Sequence, residues 1–367
     1  MPNGTINPET NYVEQLASEK DKSWSKISAA HDDALEVVEL LNSELKKFTS
    51  GDVDLIVFGS LARREWTSGS DVDWTMLVDG QVDANHRVIA REITDAMAEL
   101  KYKGTKLNEP GSEGVFGNMA FSHEIVHHIG GQADSNKNTT QRILMLLEAT
   151  ALRSEDNDDD GPFQRVIKQI LDRYLHNDSN FHAADGKNSR IPRFLLNDIV
   201  RYWRTLCVDF GYKEWEQAGK KWALRNIKLR TSRKILFVAG LLTVFSCYKN
   251  EDLDLDCDTA ECLLNLQSHL LNFVHSSPLN IITWTLVQLG LEDECCELLD
   301  CYEEYLLKID DKTLREKLEK LEPKDVYEDA CFLECREISH RLQGVFNKIC
   351  FEEESPLRDF TKEYGVF

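Results

Sequence analysis

The chain has 367 residues, with 43 Lys+Arg against 64 Asp+Glu and a formal net charge of −21. Its 42% hydrophobic content supplies a packed core, which excludes wholesale disorder, and a length of this order suggests two or three domains. So acidic a balance repels phosphate backbones over most of the surface, which excludes a protein that coats nucleic acid non-specifically.

The first residues, MPNGTINPETNYVEQ, show neither a basic n-region nor an apolar h-region, and the expectation is a cytoplasmic protein. Residues 11–48 carry Ile27, Ala30, Leu35, Val38, Leu41 and Leu45 at helical spacing, so residues 1–50 read as a leading helix. The texture then changes. Val53–Phe58 (VDLIVF) is a short apolar run ending in Gly59-Ser60, the pattern of a buried strand followed by a turn. Val72–Val78 predicts a second strand, Ala84–Leu100 a helix, and Val115–Ile129 (VFGNMAFSHEIVHHI) alternates as a third strand. Residues 51–153 therefore form a small mixed α/β domain.

From Thr139 onward the helical period dominates. The acidic run Glu155–Asp160 before Gly161-Pro162 marks a linker, and residues 161–250 read as a helical domain. Within it, Ile235–Cys247 is the most apolar run, too short for the roughly 20 residues of a membrane span and read as a buried helix. Residues 259–367 are a further helical region. All 10 cysteines lie at or after Cys207, with no clean CxxC pair, which predicts reduced core thiols and not a zinc cluster. The fold class predicted is α+β: a small mixed sheet with helices, then an all-α body.

The strongest chemical signal is Phe58-Gly59-Ser60, ten intervening residues, then Asp71-Val72-Asp73. A Gly-Ser turn after a strand exposes backbone N–H groups and lets phosphate oxygens approach closely. Residues two apart in a strand share a face, so Asp71 and Asp73 project together. Two like charges so placed need a cation, and hard carboxylate oxygens suit Mg²⁺, two ions of which serve a substrate phosphate.

This arrangement resembles the nucleotidyltransferase superfamily related to DNA polymerase β. Within it, the chain looks most similar to the group around the bacterial PII-protein uridylyltransferase, with Leu147-Glu148-Ala149 and the following helices as further points of likeness. The resemblance implies transfer of a nucleoside monophosphate from an NTP such as ATP to an acceptor hydroxyl, with two Mg²⁺ ions (or Mn²⁺) at Asp71 and Asp73. A protein is the first acceptor expected. A nucleotide, giving an oligonucleotide signal, and a tRNA end are the alternatives, along with an NTP-binding regulatory module without turnover. Family members usually add a third carboxylate. On a strand over 115–129, Glu124 faces the open side with Asn118, Ser122 and His128, while Glu113 and Asp134 remain candidates.

His123-Glu124-Ile125-Val126-His127 also fits H-E-x-x-H, a zinc-peptidase pattern with Glu148 as third ligand, which would need a helix there. Gly114, Gly117, Gly130 and Gly131 around a β-branched centre argue against one. Last, Lys187–Lys249 carries 14 basic and 4 acidic residues, an island of +10 in a remainder of −31. Trp222–Leu242 predicts one helix with Arg225, Lys228 and Ser232 on one flank. In the superfamily a Lys and a Ser of the helical domain hold the β- and γ-phosphates, and Lys228 with Ser232 resemble that pair. The alternative is a solvated face whose stems cover core. The island thus predicts a triphosphate grip, and the acidic remainder argues against a long nucleic acid as partner.

Overall fold

The computed structural model describes residues 4–108, 118–152, 161–177, 191–248, 250, 253 and 259–365. The chain divides into two compact units, one of Ala29–Asn177 and one of Met1–Ser28 with Asp178–Phe367. The expected leading helix is two helices, α1 (Tyr12–Glu19) and α2 (Ser25–Leu45). They separate where Asp21 takes a positive φ of 51°, a conformation that ends a right-handed helix.

The first of these units holds a four-stranded mixed sheet. Its strands are β1 (Val53–Phe58), β2 (Trp74–Val78), β5 (Asn118–Phe121) and β6 (Ala149–Leu152), in the order β5-β2-β1-β6. β1 pairs antiparallel with β2 and β6, and β5 pairs parallel with β2. A short hairpin, β3 (Lys101–Tyr102) with β4 (Thr105–Lys106), stands apart. β1 is central and buried at every position, which is why its sequence is an unbroken apolar run with one polar residue. That residue, Asp54, receives the amide of Phe163 at 2.7 Å and so fixes the start of α7 (Pro162–Asn177).

Alternation along the strands sends Val53, Leu55, Val57, Trp74, Met76 and Val78 to one face, where they pack with α2 and α4 (Asn85–Glu99). This is the main core of the unit. A four-residue helical turn, α3 (Gly59–Ala62), follows β1 directly.

The expected strand over 115–129 is corrected. Asn118–Phe121 is the strand, residues 109–117 lie outside the described part, and Ser122–His127 forms helix α5. Burial decides this: Ile125 and Val126 sit on the inner side of the helical turn, facing α6 (Asn136–Leu147) and α7, while His123, Glu124 and His127 stay exposed. Arg142, fully buried on α6, staples the region by donating to the Ile125 carbonyl, to both Asp134 oxygens and to the Tyr174 hydroxyl. The linker expected at Glu155–Asp160 and Glu113 both lie outside the described residues.

The second unit is helical. Its elements are α1, α8 (Arg193–Glu216), α9 (Trp222–Arg230), α10 (Ser232–Phe245), α11 (Thr259–Val274), α12 (Pro278–Gln288), α13 (Glu292–Asp310), α14 (Lys312–Lys320) and α15 (Ala330–Phe351), with short turns at its C-terminal end. The helix expected over Trp222–Leu242 is broken at Thr231, whose φ and ψ of −118° and −95° leave the helical region. Its hydroxyl donates to the Ile227 carbonyl at 2.7 Å. The apolar α10 is buried against α8 and α12. Six of the nine described cysteines are buried. Burial pushes the Cys247 and Cys295 thiols up to about 12, so both are neutral packing groups. Among the described residues no helix is long and apolar enough to cross a membrane.

Candidate active site

The Gly59-Ser60 turn and the two aspartates converge at one end of the sheet. β1 and β2 run antiparallel, so the C-terminal end of β1 lies beside the N-terminal end of β2. The Phe58 amide donates to the Asp73 carbonyl at 2.9 Å, which extends the ladder one step beyond Trp74. Gly59 then takes a positive φ of 71°. An added Cβ there would lie 3.1 Å from Asp73 Oδ2, so the carboxylate is seated directly over the glycine. This contact explains the residue choice at position 59.

The aspartates are presented by extended backbone. Asp71 is exposed, Val72 buried, Asp73 half-buried and Trp74 buried, the two-residue alternation expected of a strand. Val72 and Trp74 anchor the segment in the core while both carboxylates stay on the opposite side. Asp71 bridges Asn108, whose carbonyl accepts the Val72 amide at 2.9 Å and whose side chain donates to the Ser70 carbonyl at 3.2 Å. The loop before it is closed by Thr67 and Ser70, whose hydroxyls lie 3.0 Å apart. The small polar loop is therefore a folded turn that fixes where Asp71 begins.

Beneath the turn sits a buried ion network that sequence reasoning missed. Arg63, at the end of α3, donates to Glu65 at 2.8 Å and to Glu148, the residue immediately before β6. All three side chains are nearly inaccessible. Because Phe58 pairs with Ala149, this network ties the Gly-Ser turn to the neighbouring strand. The available signal was the pair Arg63-Arg64 inside an apolar segment and a lone Glu148 after Leu146-Leu147.

Glu124 is not brought to this site. β5 runs parallel to β2 with Phe121 opposite Val78, so the chain leaves β5 at the far end of the sheet. Five strand residues, about 16 Å, separate that end from Asp73. There Glu124 borders a different cavity, with Val78, Gly80 and His86. Asp134 is held by Arg142, and Glu113 lies outside the described residues. Among the described residues no group of three His, Cys, Asp or Glu is arranged to hold a metal.

The H-E-x-x-H segment does form a helix, contrary to the expectation from its glycines, and the His123 and His127 rings lie 5.0 Å apart. Its supposed third ligand does not join them. Glu148 is committed to Arg63.

Arg225, Lys228 and Ser232 belong to the helical unit. Arg225 donates to Gln217 at 2.8 Å and to the Lys220 carbonyl at 2.7 Å, closing the turn between α8 and α9. Ser232 is buried; its hydroxyl donates to the Lys228 carbonyl and accepts from Tyr305. Lys228 is half-buried on α9. The expected one-turn pairing of Lys228 with Ser232 is thus a backbone contact across the break at Thr231.

Residues 38–108 match the family model for the nucleotidyltransferase domain. The matched segment begins in α2 and ends at Asn108, and so contains Gly59, Ser60, Asp71 and Asp73. It supports the nucleotidyltransferase superfamily, a class that in general transfers nucleoside monophosphates; nothing narrows it to the group around the PII-protein uridylyltransferase. No curated protein matches the chain.

Proposed function

We propose that the protein is a divalent-metal-dependent nucleotidyltransferase that moves a nucleoside monophosphate from an NTP to an acceptor hydroxyl and releases pyrophosphate. The observation that carries this reading is the seating of Asp73 over Gly59 at the end of β1, with Asp71 presented beside it from the Thr67–Ser70 turn. The donor set fits Mg²⁺: two carboxylates one residue apart supply hard oxygens, and phosphate oxygens and water complete such a shell. When bound, Mg²⁺ supplies charge for the attacking oxygen and for the departing pyrophosphate.

The chain's own residues do the rest. The amides of the α3 turn, which begins at Gly59, are the donors assigned to a phosphate oxygen. Ser60, half-buried on α3, adds a hydroxyl. Asp71, the more exposed carboxylate, stands on the side open to an acceptor. The Arg63–Glu65–Glu148 network holds the turn in place, so its amides need no rearrangement during transfer. The favoured acceptor is a protein hydroxyl, as in the group the sequence resembles, with a small nucleotide acceptor second. The net charge of −21 disfavours a long polyanion.

The test is incubation of the purified chain with each labelled NTP and Mg²⁺, with and without protein and nucleotide acceptors. A labelled acceptor accompanied by pyrophosphate supports the reading. Full transfer after Asp71→Ala with Asp73→Ala would contradict it.

A further inference from the structure

The basic island has a second feature, and it lies entirely within the helical unit. Arg193, Asn197, Val200 and Arg204 follow one another at steps of four, three and four along α8, which places them on one side of the helix. With Leu196, and with Tyr364 from the C-terminal turn, they line a cavity of about 490 Å³, a size typical of small-molecule sites.

Most other cations of the island are spent on the fold. Arg225 closes a turn, Arg230 donates to Asn226 at 3.0 Å, and Lys234 donates to Gln343. Asn197 and Arg204 differ: both are exposed, and neither side chain makes a hydrogen bond or ion pair among the described residues. Arg193 is the first residue of a 24-residue helix whose first turn has no acidic residue and whose N-cap, Pro192, offers no side-chain acceptor. The positive end of the helix therefore adds to its charge.

The cavity is not merely cationic. Leu196 and Val200 form an apolar floor between the two arginines. Tyr364 forms an aromatic wall, backed by Phe360 and Tyr248 at ring-centroid distances of 6.5 and 6.3 Å. The one carboxylate lining the cavity among the described residues, Glu363, is a partner of the Tyr364 phenol, and burial together with that contact pushes the phenol up to about 12. At neutral pH Tyr364 is accordingly an uncharged ring. Two guanidinium forks suit phosphate oxygens, and an aromatic wall over an apolar floor suits a flat heterocycle.

We propose that this cavity is a binding site for a nucleoside phosphate, with Arg193 and Arg204 on the phosphate, Asn197 on a polar edge and Tyr364 against the base. Because every described lining residue belongs to the helical unit, its occupancy does not depend on the transfer chemistry proposed for Gly59, Asp71 and Asp73.

Isothermal titration of the 367-residue chain carrying Asp71→Ala and Asp73→Ala, without added divalent metal, tests this apart from catalysis. The titrants are the four nucleoside monophosphates, adenosine, inorganic phosphate and a single-stranded oligonucleotide. At least one monophosphate is expected to saturate one site more tightly than adenosine or phosphate. Adding Arg204→Ala is expected to weaken it by about tenfold, the loss of one charge-assisted contact. Tyr364→Leu should weaken the monophosphate while leaving phosphate unchanged. The thermal midpoint of the Arg204→Ala chain should not move, since that side chain holds no partner among the described residues. The proposal is overturned if no monophosphate binds, if Arg204→Ala leaves affinity unchanged, or if phosphate or the oligonucleotide binds as tightly as the monophosphate.

Discussion

Gly59 shows how one residue serves fold and chemistry together. Its φ of 71° is costly for a residue with a side chain, and its missing Cβ is what lets Asp73 Oδ2 sit where it does. Gly59→Ala should cost about 1–2 kcal/mol of stability, the left-handed penalty, and should also displace Asp73. The expected outcome is a lower denaturation midpoint together with a loss of transfer larger than that midpoint explains. Arg63 makes a different prediction. Removing it by Arg63→Ala leaves Glu65 and Glu148 buried without their cation, a loss of about 3–5 kcal/mol that chemical denaturation would read. Glu124 makes a third: exposed at the far end of the sheet, Glu124→Ala should leave transfer unchanged, and a large loss would contradict the geometry. At this scale the meeting of the Gly59-Ser60 turn with Asp71 and Asp73 at one end of the sheet was legible because their spacing is local. The Arg63–Glu148 pair was not, since it joins positions 85 apart.

Elements were legible where one period dominates. β1 and β2 were read nearly to the residue because central strands are continuous apolar runs. Ser122–His127 was misread because Ile125 and Val126 favour strands on propensity, and burial beneath α5 overrode it. Trp222–Leu242 was read as one helix because its apolar spacing continues through Thr231, where the buried hydroxyl and the amide share the Ile227 carbonyl and the backbone leaves the helical region. The helicity of α5 also makes the zinc alternative testable. With Glu148 held by Arg63, His123→Ala should leave both metal content and transfer unchanged, as elemental analysis and a transfer assay would show.

The molecule as a whole combines an α+β unit and a helical unit. The first 28 residues belong with the latter, which no composition shift in the sequence announces, since the division falls within the unbroken helix α2. α1 joins its unit through Lys20–Glu292 and Lys22–Asp300 pairs, and Glu303 caps α2 by accepting from the Lys26 and Ile27 amides. Nearby, Thr5 and Ser246 hold the two ring nitrogens of His269, each at 2.8 Å. Burial pulls His269 down to about 4, so the folded state favours the neutral ring. The unfolded chain then takes up a proton below about 6.5 that the folded chain refuses until about 4. Stability from this group is therefore intact above pH 6.5 and falls as the pH drops toward 4, and His269→Gln should flatten that slope in thermal melts.

The central claim is that Asp71 and Asp73, set beside Gly59, carry nucleotidyl transfer. Pyrophosphate release from NTP with Mg²⁺, compared between the native chain and the Asp71→Ala/Asp73→Ala chain at equal thermal midpoint, tests it most directly. The account predicts a fall of about a thousandfold, the several kcal/mol that a bound metal's charge contributes. Release undiminished by the double substitution would contradict it.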